Sequence, residues 1–376
     1  MASIYSSDSS DTQEPKTPNR SLDLSYLRLD NLAMGRTMEQ IALVPNESTE
    51  SSECQTQQVS EKTGLYETIL LLHNDLVTMP VEVLYFHNLR LLDLSSNSLT
   101  FLPDVIIELK HLTSLIIKNN CLDENGLPKN FGRLRLRELN LSGNHFTRFP
   151  EQVYDMTTLK YLYIGGGSIT GFSGRIAKLQ RLQILYLGGN QLQEIPAQVG
   201  LLSHLQVLNL SENHLESLPT SIAALKQLKS LLLHKNRLTT LPQEIAKLGG
   251  LMELSLRDNP LVVRFVREMV YSPPSLMEIA ARIVKVKNIP FNMDDIPSHL
   301  KEYLQSAHHC VNPKCKGVFF DTRVEHVKFV DFCGKYRIPL MHYLCSRKCT
   351  TARPAYNNDS SDSDSESQRL KRVLLG

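Results

Sequence analysis

Five of the 7 cysteines fall between residues 310 and 349. Cys310 and Cys315 are separated by four residues, and Cys345 and Cys349 by three. Two such thiol pairs suit a tetrahedral zinc ion, with the stretches GVFF and VKFVDF between them reading as strands. Cys333 offers a replacement thiolate, and His308, His309 and His342 are further substitutes. A shell of four thiolates leaves no position open for a substrate, so zinc there would be structural, closing a domain of ~40 residues with little core of its own. The spacing is not the usual two-residue form, which keeps a metal-free thiol group as the alternative. Cys121, just after Asn120, reads as a packed thiol and not as a sensor.

No other grouping offers chemistry. Gly165-Gly166-Gly167-Ser168 lacks the lysine and the following helix of a phosphate loop. The chain reads as a non-enzyme. Lys plus Arg number 41 and Asp plus Glu 39, a formal net charge of only +2, which argues against nucleic acid or a membrane surface as partner. The opening MASIYSSDSSDTQEP has no signal-like apolar run, and no later stretch is long and apolar enough to span a bilayer. The expectation is a cytoplasmic chain, with the nucleus also open to it and its thiols reduced.

What must position these residues is a repeat. LRLLDLSSNSL from Leu89 puts Asn97 at its ninth position, and the pattern returns with Asn120, Asn144, Asn190, Asn213, Asn236 and Asn259. A weaker copy ends at Asn74, and LKYLYIGGGSI carries Gly167 where Asn belongs. The step is 23 residues, with one step of 24 between Asn120 and Asn144. Leucines at positions one, four and six stack inward, and the Asn amide satisfies backbone groups left open where the chain leaves the strand. An apolar residue followed by proline recurs too, as in Met79-Pro80 and Leu218-Pro219, and suits entry to a short turn or helix. The array resembles the 23-residue intracellular class of leucine-rich repeats over residues 65–262. The fold class is α/β: a leucine-rich-repeat solenoid with a curved parallel sheet, a small helical box and a small Cys-rich module.

Positions three, five, seven and eight face solvent along the sheet. Tyr161, Tyr163 and Tyr186 fall on adjacent strands beside Gly165, Gly166, Gly188 and Gly189, with Ile184 and Val207 extending the patch. These residues are the candidate target-binding face, an aromatic patch beside a bare glycine floor. The alternative is that tyrosines are simply good strand formers.

Beyond Leu261, Pro273-Pro274-Ser275 marks a helix start, and Leu276, Ile279, Ala280, Ile283 and Val284 share a helical face. A second helix follows Pro297, with Leu300, Tyr303 and Leu304 on one side. These residues resemble a SOCS/VHL-type box. The resemblance assigns Ser275, Leu276, Ala280 and Val284 to elongin C of an elongin B/C pair, with Ala280 where Cys is frequent. It assigns Ile296, Pro297, Leu300 and Leu304 to a cullin. His299 stands where the cullin 5 type has a second proline, which favours cullin 2 over cullin 5. A helix that merely caps the solenoid is the alternative.

The expected order is a mostly disordered region over 1–63 with a capping strand in LDLSYLRLDNL, nine repeats over 64–262, and the box over 263–306. The Cys/His module over 307–352 and an acidic Ser-rich tail over 353–376 complete it. This order resembles leucine-rich-repeat substrate receptors of cullin–RING ligases, a non-catalytic class that presents a target protein for ubiquitination and meets the RING subunit only indirectly. The rival is a scaffold or adaptor in intracellular signalling; a zinc-dependent nucleic-acid binder is disfavoured by the missing basic patch.

Overall fold

The structure, a computed structural model, describes residues 20–43, 61–261, 273–290, 296–312, 315–332, 336–350 and 372–374. The expected disorder at 1–19 and 44–60, Cys333, and the tail before residue 372 lie outside the described residues. The chain forms two compact units, Met1–Phe146 with Pro150–Leu162, and Thr147–Phe149 with Tyr163–Gly376.

In the first unit, β1 (Ser21–Asp23) pairs in parallel with β2 (Thr68–Leu70), which pairs with β3 (Leu91–Asp93), then β4 (Ser114–Ile116) and β5 (Glu138–Asn140). Of the capping strand expected in LDLSYLRLDNL (22–32), only Leu22 and Asp23 lie in β1. The chain continues into a helix that the alternating pattern did not announce, α1 (Asn31–Ala42). Asp30 caps α1 by accepting from Ala33 N at 2.8 Å, while Met34, Met38 and Ala42 are buried. Glu61–Leu65, which begins inside the region expected to be disordered (1–63), forms a short 3-10 turn with Thr63 buried.

The repeat positions do what their chemistry demands. Leu89, Leu92 and Leu94 are fully buried, as are their counterparts in later repeats. Asn97 donates to Leu71 O and Leu94 O at 3.0 Å each and accepts from Leu76 N at 3.2 Å, so one amide ties two successive repeats. Position eight, just before each Asn, is left-handed: His73, Ser96, Asn119 and Gly143 in this unit have φ of +54° to +70°. The 24-residue step takes up its extra residue in a turn where Asp123 accepts from Asn125 N and Gly126 N.

β6 (Tyr161–Tyr163) spans the boundary between the units. In the second unit β7 (Ile184–Tyr186), β8 (Val207–Asn209), β9 (Ser230–Leu232) and β11 (Glu253–Ser255) continue the parallel pattern. Proline opens most of the 3-10 turns that return the chain; at Phe172-Ser173, where the proline is missing, Ser173 caps instead by accepting from Arg175 N at 3.3 Å. The two-residue β10 (Leu241–Pro242) lies in the last such return.

Behind the repeats stand α2 (Leu276–Val286), α3 (Ser298–Gln305), the short pair β12 (His308–His309) and β13 (Val318–Phe319), and a long hairpin of β14 (Val324–Phe332) and β15 (Tyr336–Leu344). The module is joined to the repeats by backbone: β15 pairs in parallel with β10, Leu241 against Leu340. The C-terminal residues then close the exposed sheet edge, with β16 (Arg372–Leu374) parallel to β11.

Candidate docking helix and metal centre

Ser275 sits where the Pro-Pro-Ser sequence placed it, as the N-cap of α2, its Oγ accepting from Glu278 N at 3.1 Å. The helix is turned opposite to the usual sense. Its buried residues are Glu278 and Ala281, while Leu276 is 86% exposed and Met277, Ile279, Ala280, Ile283 and Val286 also face outward. Val284 is half-buried. Among the described residues, α2 thus leaves an apolar face exposed while it buries a carboxylate.

The inward residues explain how this orientation is held. Glu278 accepts from Phe320 N at 3.1 Å and from Thr322 N at 3.0 Å, and pairs with the Arg282 guanidinium at 2.6 Å. Arg282 in turn donates to Thr322 O and, at 2.8 Å, to Cys345 O. Burial alone would raise the Glu278 carboxyl pKa, but the hydrogen bonds from Thr322, Arg282 and Phe320 outweigh it and hold the group below its ordinary value. Ala281 packs on Val318 and Phe320, joined by Tyr303, Leu304 and Ala307.

Of the second helix's residues, Pro297 is exposed, Ile296 and Leu300 are half-buried, and Leu304 belongs in part to this internal cluster. Tyr303 stacks on Phe320 with ring centroids 4.8 Å apart and donates to Asp321 Oδ2 at 2.7 Å, which fastens α3 to the module.

Cys310, Cys315, Cys345 and Cys349 come together with all four Sγ atoms within 4.8 Å of one another. Cys315 and Cys345 sulfurs are 3.4 Å apart, and Cys345 and Cys349 3.7 Å. Disulfide sulfurs would be about 2.05 Å apart, and all four thiols are free. A tetrahedral zinc ion with bonds of ~2.3 Å sets its sulfurs about 3.8 Å apart, which these spacings fit. Backbone donors support the sulfurs, Gly317 N to Cys315 Sγ at 3.3 Å and Cys345 N to Cys310 Sγ at 3.5 Å. A Cβ at Gly317 would lie 2.6 Å from Cys345 Sγ, so only glycine lets the chain pass this close. Burial, then the neighbouring Cys315 and Cys349 thiols, push the Cys345 pKa up; a cation is what relieves that opposition to thiolates. Four closely spaced cysteines thus form a site able to hold a metal ion, and His308, His309 and His342 are not among its grouped ligand atoms.

The sheet-face patch is partly assembled. Tyr163 and Tyr186 rings lie 6.3 Å apart, and Ile184 pairs in register with Val207, all four half-buried. Tyr161, half-buried at the start of the same strand as Tyr163, belongs to the first unit. The glycine floor is not bare. A Cβ at Gly165 would lie 2.3 Å from the Tyr186 ring, so that glycine is needed to seat Tyr186.

Comparison with known proteins decides the family. Leucine-rich repeat-containing protein 58 of Xenopus laevis is 63% identical over 314 residues, covering 82% of this chain and 90% of the relative. The human protein of the same name is 62% identical over 309 residues, 80% of this chain and 83% of that one. The chain belongs to the leucine-rich repeat-containing protein 58 family. Models described as "Leucine-rich repeat region", "Leucine rich repeat" and "Leucine Rich Repeat" match residues 173–271, 134–192 and 88–109. Among solved structures, a leucine-rich-repeat protein of Leptospira interrogans aligns with a TM-score of 0.53 at 34% identity, over 65% of this chain and 62% of that one, less than two thirds of its length. The fold is that of a protein built for protein binding or scaffolding. Among the described residues, no helix is long and apolar enough to cross a membrane.

Proposed function

We propose that this chain is the substrate-recognition subunit of an elongin B/C–cullin–RING ubiquitin ligase. The observation that carries the reading is the inverted α2. Leu276, which the SOCS/VHL-type pattern assigns to the pocket on elongin C, is 86% exposed, with Ala280 and Ile283 beside it. Burial of Leu276 against the last repeat would have spoken for a plain cap. A helix laid into a groove by residues spaced three and four apart is the recognition mode this face suits. Ile296, Pro297 and Leu300, close behind, would meet the cullin, cullin 2 before cullin 5. Leu304 contributes more to holding α3 in place.

In this reading a target protein binds the sheet face of the second unit around Tyr163, Ile184, Tyr186 and Val207, and a structural zinc ion on Cys310, Cys315, Cys345 and Cys349 closes the module. The chain supplies no reacting group. Its contribution is proximity, holding a target lysine near a charged conjugating enzyme in the cytoplasm or nucleus.

The test is capture of purified elongin B/C by the intact chain and by a Leu276→Asp, Ala280→Asp double variant, with circular dichroism on both. Both substituted residues are exposed, so the variant is expected to fold and to lose binding by at least about a hundredfold, as when an anchor leaves its pocket. An intact chain that does not bind elongin B/C leaves a scaffold with an outward helix and ends the ligase reading.

A further inference from the structure

The outward face of α2 has to be held against its own chemistry. Left free, a helix carrying Leu276, Met277, Ile279 and Ile283 on one side would gain by burying them and exposing Glu278. The only apolar side chain that α2 fully commits inward is Ala281. What holds the helix is polar: Glu278 on Phe320 N and Thr322 N, and Arg282 on Thr322 O and Cys345 O.

Those backbone groups are not independent of the thiol site. Cys345 is itself one of the four thiols, and the 320–322 segment follows within a few residues of Gly317, whose N–H bonds Cys315 Sγ and whose carbonyl accepts from Cys310 N at 2.8 Å. From sulfur to docking face the path is therefore short: thiols, the two backbone loops, the Glu278–Arg282 pair, helix.

We propose that metal binding at the four cysteines and display of the apolar face of α2 are one coupled equilibrium, with Glu278 and Arg282 as the positioning residues that join them. The bound metal fixes the carbonyl of Cys345 and the Phe320–Thr322 backbone, and only then do Glu278 and Arg282 find all their partners. Losing the metal withdraws the docking face. The coupling is reciprocal: whatever engages α2 in this orientation tightens metal binding by the same factor. The inference rests on the zinc reading of the thiols and not on the identity of the docking partner.

The experiment uses the full chain purified with zinc. Hydrogen exchange of the α2 amides is followed by mass spectrometry before chelation, after removal of zinc by 1,10-phenanthroline, and after zinc is returned, with metal content measured at each stage. Exchange in α2 is expected to quicken about tenfold or more on chelation and to recover, while strands β2 to β5 keep their protection. Unchanged α2 exchange in protein shown to have lost its zinc overturns the coupling, as does a chain that binds no zinc. Arg282→Gln should weaken zinc affinity, read by competition with a chromophoric chelator, by the factor through which zinc loss speeds α2 exchange. Lys285→Gln, at an exposed position of α2 outside the docking face, should leave zinc affinity unchanged. Equal losses in both variants, or none in Arg282→Gln, sink the proposal. Elongin is absent from every arm, so failure of elongin capture and failure of this coupling are separate results.

Discussion

At the scale of single residues, the same side-chain type takes opposite roles according to its surroundings. Glu278 is a buried anchor because backbone N–H groups and a guanidinium meet it. Glu212 is a surface residue whose pKa is lowered by an exposed Lys235 at 2.7 Å, an arrangement that adds little to stability. His342 gives a pH dependence. Burial first, then the charges of Lys328 and His326, lower its pKa from 6.5 to about 4. As pH falls below 6.5 the unfolded chain takes up this proton while the folded chain resists until about 4, so folded stability declines with acid across that window. The limiting slope is about 1.4 kcal/mol per pH unit. His342→Gln should flatten it, measured by thermal melts between those pH values; an undiminished slope would show that other groups produce it.

At the scale of elements, most repeats are held to the next by one asparagine amide, buried in the central ones. Asn213 donates to Leu187 O and Leu210 O at 3.0 and 3.1 Å and accepts from Leu192 N at 2.9 Å. Asn213→Ala leaves those buried groups without partners, and the expected loss is about 2–3 kcal/mol in denaturant unfolding. A loss below half of that would mean that water replaces the amide. This much was legible in the sequence, because leucine and asparagine recur at a fixed period and each position has one job. The N-terminus of α2 was legible too, from Pro273-Pro274-Ser275. Its inversion was not, since Phe320, Thr322 and Cys345, the partners of Glu278 and Arg282, lie about 40 and more residues away in the chain. The left-handed position eight was missed although its fillers hint at it: Gly143, Gly166, Gly189, His73, Asn119 and Asp258 are types that favour positive φ, while Ser96, Glu212 and Lys235 are not. The thiol site was read from spacing alone, whereas the need for Gly317 beside it appears only when the sulfurs are placed in space.

At the scale of the molecule, the second unit closes one sheet edge with its own C-terminal segment, β16 on β11. Neither the alternation nor the composition of RVLLG announced this, because a three-residue strand takes its stability from the edge it meets. Deleting residues 372–376 should leave the repeats folded but expose unpaired backbone on β11. Sedimentation velocity is expected to show concentration-dependent self-association of the shortened chain and none of comparable strength in the intact one. Equal behaviour of the two would show that the edge is protected by other means.

The outward helix has a consequence for how the protein is kept in a cell. If a partner docks on α2 as proposed, a chain that holds Leu276, Ile279 and Ile283 in water is an incomplete object until that partner covers them. Copies made in excess of their partner are recognisable as orphans by the same hydrophobic face that a partner would use, and so are open to chaperone capture and disposal. The abundance of the protein would then be metered by the supply of whatever docks on α2.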